Sequence, residues 1–125
     1  MKFTAIRENH LYQKTYAKGK RCVTHSVAVF ILRDYRADKY RKMNPDKEKI
    51  NRIGLAAGKK IGGAVERNRA KRIIREAYRS IGKKYTVKRG YLVVLAVREE
   101  ATKLKTPDVE KDLLYALRKL EMIAT

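Results

Sequence analysis

Residues 59–79, with the sequence KKIGGAVERNRAKRIIREAYR, decide the fold of this chain. At about 100° per residue, the apolar side chains from residue 70 onward share one arc about 100° wide, and the cationic side chains fill the rest of the circumference. The arc consists of Ala70, Ile73, Ile74, Ala77 and Ile81. The pattern predicts a helix over residues 64–81 that buries one face, exposes a cationic face and ends at Gly82.

The charges on this predicted helix favour a nucleic-acid backbone as its partner. The stretch holds eight Lys and Arg residues against two Glu. A merely solvated helix usually alternates Glu with Lys four residues apart, whereas Arg67, Lys71 and Arg75 form like-charge pairs that each cost roughly 0.2–0.5 kcal/mol. Arginine also pairs with phosphate through two parallel hydrogen bonds. We therefore prefer nucleic-acid binding to the alternative of a solvated amphipathic helix.

The composition of the whole chain agrees with this interpretation. The 125 residues include 32 Lys and Arg against 13 Asp and Glu, which gives a net charge of +19. Such a charge repels itself in the folded protein and attracts polyanions. The length indicates one domain over residues 1–125. The single cysteine, Cys22, excludes an internal disulfide and a cysteine-based zinc site, and we expect it to be a buried, inert thiol.

Two observations argue against a membrane partner. The longest apolar run, residues 91–97, is too short to cross a bilayer, and residues 1–20 lack the apolar core of a signal peptide. No long helix combines a bulky apolar face with Trp or Phe anchors, which binding to an anionic membrane surface would require. We therefore expect a cytoplasmic protein without membrane contacts.

The remaining pattern predicts a small α/β fold. A first helix covers residues 9–16 and ends with Gly19 as its C′ residue, and strands cover residues 24–33, 52–60 and 90–98. The last strand is apolar on both faces and is expected at the centre of the sheet. A third helix begins at Pro107, and residues 34–51 form a flexible connection. The order α-β-β-α-β-α indicates a two-layer α/β (α+β) sandwich with one small mixed sheet. The predicted core includes Val27, Val29, Ile31, Leu113, Leu117 and Leu120.

No group of residues has the spacing of a catalytic or metal site. His10 and His25 are isolated in the sequence, and the carboxylates of the 34–51 connection, including Asp34, lack the preorganisation that catalysis needs. The glycines before the cationic helix do not have the Walker A spacing. They are still able to hold a phosphate of a longer chain on backbone amides.

Three aromatic residues admit two interpretations. Tyr12 and Tyr16 lie on one side of the first helix, and Phe30 projects from the strand face opposite Val27 and Val29. They either join the core or line a groove in which unpaired bases stack. The small face formed by Gly54, Ala56 and Gly58 leaves room for a ligand beside Phe30 if the two strands are neighbours. The cations that we expect to track a nucleic-acid backbone along this groove are Lys14, Lys18 and Lys20.

The motifs together resemble a known family. The chain is similar to the bacterial ribonuclease P protein component over essentially its full length. In the cationic segment the resemblance is carried by KKIG at 59–62, AV at 64–65, RNR at 67–69, KR at 71–72, RE at 75–76 and YR at 78–79. In the first helix it is carried by YQK at 12–14, Tyr16 and Gly19. It departs from the usual pattern at Gly58, where the family often has Ser, and at Gly63, where it often has Asn. The connection 34–51 is also longer than usual.

The resemblance implies a division of labour between RNA and protein. In that family the catalytic subunit is an RNA that uses Mg²⁺ to cleave precursor tRNA at the mature 5′ end, and the protein binds this RNA and the 5′ leader. The fold implied is similar to a domain of a small-subunit ribosomal protein, with a left-handed crossover where general rules favour a right-handed one. A monomer is expected in isolation. The residues implied to contact the catalytic RNA are Lys59, Lys60, Arg67, Asn68, Arg69, Lys71, Arg72 and Arg75, and those implied to hold the leader are Tyr12, Tyr16 and Phe30.

Two other functions remain as alternatives. The charge alone would equally suit a structural ribosomal or ribosome-assembly protein, but such a protein has no need of an aromatic groove for a single strand. A nuclease acting without RNA is disfavoured because the sequence lacks a cluster of carboxylates or histidines.

Overall fold

The computed structural model describes residues 3–36, 39, 43, 51–99 and 105–123. Its elements retain the predicted helix and strand order and add two short strands to it. They are β1 (Phe3–Ala5), α1 (Asn9–Lys18), β2 (Lys20–Val23), β3 (Val27–Arg33), β4 (Asn51–Ala56), a 3₁₀ turn (Lys59–Ile61), α2 (Ala64–Lys84), β5 (Tyr91–Val97) and α3 (Thr106–Lys119). β1 and β2 were not predicted from the sequence, because they have only three and four residues.

The strands form one mixed sheet in the order β1-β4-β5-β3-β2. β4 runs parallel to β1 and β5, whereas β3 runs antiparallel to β5 and β2. The central position of β5 confirms the prediction drawn from its two apolar faces. β4 and β5 are parallel neighbours connected through α2, so the cationic helix is the crossover of this sheet.

Helices cover both faces of the sheet. On one face, α2 and α3 pack on a core in which Val27, Val29 and Ile31 are at most 5% exposed, as predicted. Leu113 and Leu117 are fully buried in the same core. On the other face, a smaller cluster around Leu92 and Val94 lies under α1. The α/β sandwich is therefore confirmed, and α1 covers part of its second face.

Several predicted boundaries need correction. α2 continues past Gly82 to Lys84, because the buried Ile81 anchors its last turns and one helical glycine costs only about 1 kcal/mol. α1 runs two residues further than predicted, and Gly19 follows it with extended backbone rather than as a left-handed C′ residue. The strand predicted from residue 24 begins at 27, because the Thr24 hydroxyl donates to the Val27 carbonyl in a turn. Cys22 is half-buried rather than buried.

The connection 34–51 lies mostly outside the described residues. Its ends do not fit the predicted flexible segment, because Asp34 is 3% exposed and Asn51 is 2% exposed at the start of β4. The backbone of Tyr35 and Arg36 is helical. Both ends of the connection are therefore fixed to the sheet.

Candidate nucleic-acid interface

The cationic helix α2 buries its predicted face and leaves most of its cations accessible. Ala70, Ile74, Ala77 and Ile81 are buried, whereas Ile73 is only half-buried. The buried face also includes Tyr78, which the apolar arc did not contain. Of the residues implied to contact RNA, Asn68, Arg69, Arg72 and Arg75 are exposed and Arg67 and Lys71 are half-buried.

The cations of α2 point in two main directions. Lys71 and Arg75 lie beside Tyr78 at one border of the buried face, because they are separated from it by seven and three residues. Arg69 lies about 160° around the helix from Lys71, toward the other border. A single straight RNA strand is therefore unable to contact every cation of this helix.

Two glycines shape the start of α2. Gly62 has φ +135°, a conformation that L side chains rarely adopt, and it turns the chain into the helix. Gly63 is the N-cap and offers no side chain to the free amides of the first turn. Its carbonyl accepts from the Arg67 backbone N–H at 3.0 Å and from Arg67 Nε at 3.4 Å. Lys60 is exposed in the preceding turn, and the Lys59 side chain lies outside the described part of the chain.

The three aromatic residues lie together on the face of the sheet that α1 covers. The rings of Tyr16 and Phe30 meet edge to face with their centroids 4.8 Å apart. Tyr16 is 40% exposed, and burial together with the neighbouring Tyr12 phenol raises its pKa. Tyr12 and Phe30 are half-buried and also pack on the smaller core cluster. The rings thus cover a core cluster, and Tyr16 also borders the solvent, whereas stacking of unpaired bases on them stays a prediction.

The room for a ligand that we predicted between Phe30 and the small face of Gly54 is absent at that position. β5 separates β3 from β4, so Phe30 and Gly54 lie on opposite sides of Val94 in one cross-strand row. The space over Gly54 is filled by Tyr12, because a Cβ at Gly54 would lie 2.5 Å from Cε1 of that ring. At Gly58, in contrast, a Cβ would have no heavy atom within 4 Å.

Three partly exposed alanines lie one cross-strand row further along the sheet. Ala56, Ala96 and Ala28 are paired across β4, β5 and β3, and all three are half-buried. They share a sheet face with Phe30 because side chains two residues apart point the same way. We call the surface formed by Tyr12, Tyr16, Phe30 and this row the aromatic groove. The alanine row was missed because strand order, which aligns it, was unknown.

One cavity lies between Tyr12, a residue of the aromatic groove, and the cationic helix. It has a volume of about 270 Å³ and opens beside β4, where β1 has already ended. Its wall contains Tyr12 from α1 and both Lys71 and Arg75 from α2. The remaining lining residues are Ala5, Ile53, Leu55 and Tyr78. An aromatic face and two cations, which the sequence assigned to separate groups, therefore border the same space.

A buried polar cluster holds the base of this cavity. Asn51 Nδ2 donates to the Tyr78 hydroxyl at 3.3 Å and to the Lys88 carbonyl at 2.9 Å, and Asn51 Oδ1 accepts from the Tyr91 backbone N–H at 2.9 Å. Burial raises the pKa of Tyr78 to about 12. The phenol is therefore neutral at physiological pH. Asn51 was missed because a single polar residue at a strand end has no periodic signal.

An ion-pair network fixes the other end of α1. Arg52 donates through Nε and Nη2 to the two carboxylate oxygens of Asp34 at 2.7 and 2.9 Å, and Arg52 Nη1 lies 3.5 Å from Glu8. The hydrogen bond to Asp34 raises the pKa of Arg52. Asp34 is thus an anchored structural carboxylate, which corrects its placement in a flexible connection.

The cations predicted to accompany the aromatic groove lie elsewhere. Lys14 and Lys18 are about 200–240° around α1 from Tyr12, with the buried Thr15 between the two sides. They line two other cavities, and Lys20 lines one of these together with Lys18. The lysines therefore belong to a different surface from the tyrosines.

Metal centres and membrane spans are both absent from the described residues. Among them, no three His, Cys, Asp or Glu side chains come together in a way that would hold a metal ion. Within the same part of the chain, no helix is both long and apolar enough to cross a membrane.

Comparison with known proteins places these features in a family. The family model described as Ribonuclease P matches residues 1–121. A ribonuclease P protein component from Clostridium botulinum is 31% identical over 119 residues, which are 95% of this chain and 96% of that protein. One from Dehalococcoides mccartyi is 37% identical over 83 residues, which are 66% of each protein.

Solved structures show the same fold. The RNase P protein of Staphylococcus aureus superimposes with a TM-score of 0.76 at 23% identity and covers 98% of this chain and 100% of its own. The RNase P protein from Thermotoga maritima gives a TM-score of 0.71 at 19% identity, over 92% of this chain and 96% of its own. The match along residues 1–121 and the relatives that share it show that this chain belongs to the ribonuclease P protein family.

Proposed function

We propose that this protein binds both the catalytic RNA of ribonuclease P and the 5′ leader of precursor tRNA, and so promotes removal of the leader. The observation that carries this proposal is the cavity bordered by Tyr12, Lys71 and Arg75. A single-stranded nucleic acid presents bases that stack on aromatic rings and phosphates that pair with cations, and it needs both within the reach of one strand. The cavity supplies both.

The aromatic groove is the proposed leader site. Unpaired bases have flat faces, so they need exposed rings beside a shallow floor. Tyr16 supplies an exposed ring, and the row of Ala28, Ala96 and Ala56 supplies a floor without bulky side chains. Mature tRNA lacks the leader, so contacts in this groove favour precursor over product.

The outer face of α2 is the proposed contact with the catalytic RNA. Asn68 and Arg72 point away from the sheet, and Arg69 faces the side opposite the cavity. This arrangement allows one border of the helix to meet the leader while its exposed side meets a second RNA. Arginine is suited to this contact because its planar fork binds phosphate oxygens in pairs.

We assign catalysis to the RNA subunit and its bound Mg²⁺. The described side chains include no cluster suited to a metal ion, so no catalytic step is assigned to this protein. The protein's contribution is electrostatic and geometric, because its charge of +19 offsets phosphate repulsion between catalytic RNA and substrate. The alternative of a ribosomal or ribosome-assembly protein is not favoured, given the family match. A cytoplasmic location and a monomeric state in isolation stay predictions.

Reconstitution tests the proposal. The purified, RNA-free protein should leave a precursor tRNA labelled at its 5′ end intact. Addition of a ribonuclease P RNA and Mg²⁺ should release the leader, and the protein should accelerate the reaction most at low Mg²⁺ concentration. Leader release by the RNA-free protein, abolished by substitution of one of its Asp or Glu residues, would instead identify a protein nuclease.

A further inference from the structure

A second cationic cavity lies apart from the aromatic groove. It has a volume of about 270 Å³, and it shares no lining residue with the cavity beside Tyr12. Four of its lining residues are cations and one is an anion. The lining consists of Lys18, Lys20, Ile31, Leu32, Arg33, Lys88, Tyr91, Leu120 and Glu121.

This cavity continues along the lysine side of α1. A neighbouring cavity of about 300 Å³ contains Lys14 and shares Leu32 and Arg33 with the first. Lys14 and Lys18 are four residues apart, so they lie one above the other on that side of the helix. The carboxylates at the far end, Asp34 and Glu8, are already paired with Arg52. The two cavities together form a positively charged groove, which we call the lysine groove.

The backbone that carries Lys20 and Lys88 is hydrogen-bonded to neighbouring parts of the fold. The Lys88 backbone N–H donates to the Met122 carbonyl at 2.8 Å, and the Lys88 carbonyl accepts from Asn51 Nδ2 at 2.9 Å. Lys20 is paired with Ile31 in the sheet. Within the described ranges, no carboxylate forms an ion pair with Lys18, Lys20 or Lys88.

The fold explains only part of this charge. Lys18 lies in the last turn of α1, where a cation interacts favourably with the helix dipole. Lys20 and Lys88 have no such partner in the described structure, and their convergence on one cavity opposes folding through like-charge repulsion. A polyanion bound in this cavity would turn the repulsion between the lysines into an attraction that stabilises the folded protein.

We propose that the lysine groove binds the phosphodiester backbone of RNA at a second site, separate from the aromatic groove. The inference rests on the proposed function, because it requires that the protein work on RNA. The chemistry fits a backbone rather than bases, because four cations line the cavity around Lys88 against one half-buried ring, Tyr91, while the exposed ring of Tyr35 borders the neighbouring cavity. The backbone belongs either to a distal part of the leader or to the catalytic RNA.

The test uses the reconstituted holoenzyme and the double variant Lys18→Ala/Lys88→Ala. Binding is measured over a series of salt concentrations, with a precursor whose leader ends within the aromatic groove and with one whose leader is much longer. Binding of the protein to the catalytic RNA alone is measured in parallel. The matched control is Lys105→Ala/Lys111→Ala, which removes the same charge from exposed positions near α3. A Lys18→Arg/Lys88→Arg variant keeps the charge.

The proposal expects the alanine variant to lose about 1.4 from the log–log salt slope, or about 0.7 for each single-strand phosphate contact. A loss confined to the long leader identifies the leader as the source of the phosphates, and a loss with the catalytic RNA alone identifies that RNA. The arginine variant should retain the wild-type slope. An unchanged slope in every arm, an equal loss in the control, or an equal loss in the arginine variant overturns the proposal. Failure of the proposed function is distinguishable, because the wild-type protein itself would then bind neither RNA.

Discussion

Replacing Tyr16 with alanine removes the most exposed ring of the aromatic groove. Tyr16 is 40% exposed and touches Phe30 at its edge, with a centroid distance of 4.8 Å. Loss of this contact should lower the free energy of unfolding by about 0.5–1.5 kcal/mol, which the fold tolerates. Loss of base stacking should weaken binding of precursor tRNA by about 1–3 kcal/mol, or roughly 5-fold to 150-fold. Binding of mature tRNA should not change, because it has no leader.

The assay compares dissociation constants of the reconstituted holoenzyme for precursor and mature tRNA at one fixed ionic strength. Tyr16→Phe is the matched control, since it keeps the ring and removes only the hydroxyl, and it should stay within about twofold of the wild type. Equal losses for the two tRNAs would show that the ring acts through the fold and not on the leader. An equally large loss with phenylalanine would exclude stacking as the cause, because stacking does not need the hydroxyl.

The geometry supports four further predictions. Arg67→Ala and Arg69→Ala should each flatten the salt dependence of binding to the catalytic RNA by about 0.7–0.9 in log–log slope, and an unchanged slope would exclude that residue from the interface. Ala96→Leu should raise the groove floor and weaken precursor binding alone, with unfolding measured as the control; undiminished precursor affinity would remove the alanine row from the leader site. Gly54→Ala should lower the free energy of unfolding by about 1–3 kcal/mol, because its Cβ would lie 2.5 Å from a tyrosine ring, and a stable variant would show that the ring is seated elsewhere. Folding raises the pKa of Tyr78 from 10.0 to about 12, so the stabilising effect of the neutral phenol is complete below pH 10 and is lost as the pH rises toward 12. In urea unfolding, the wild type should lose up to about 3 kcal/mol of stability relative to Tyr78→Phe over this interval. Parallel pH profiles of the two proteins would contradict this prediction.

Hydrophobic periodicity predicted the long helices and strands well, but it did not predict the short strands and polar residues that pack against them. The arc from Ala70 to Ile81 identified the buried face of α2, because an amphipathic helix repeats its signal over many turns. The burial of Tyr78 was not predicted, because its hydroxyl makes tyrosine a poor marker of burial. In the core, Asn51 donates a hydrogen bond to that hydroxyl. The short strand Lys20–Val23 was not predicted, because two of its four residues are charged and most of it is exposed. It therefore has no alternation of apolar and polar residues.

The candidate site depended on strand order, which local sequence does not encode. The resemblance grouped Tyr12, Tyr16 and Phe30 as leader-binding residues, and the structure brings the three rings together on one sheet face, while their role in binding a leader stays a prediction. The space for a ligand was misplaced, because β5 lies between the two strands that the prediction treated as possible neighbours. Long-range pairing aligns Ala28 with Ala96, and only this pairing brings the partly exposed alanines into one row.

The most direct test of the central claim is to locate the leader on the protein. A precursor tRNA with one photoreactive uridine in its leader is bound to the reconstituted holoenzyme and irradiated, and the crosslinked peptides are identified by mass spectrometry. The proposed leader site predicts crosslinks to the peptides of the aromatic groove, which contain Tyr12, Tyr16 or Ala96, and their loss when the same uridine is placed in the body of the tRNA. Leader crosslinks confined to the outer face of α2, around Asn68 and Arg72, would contradict it.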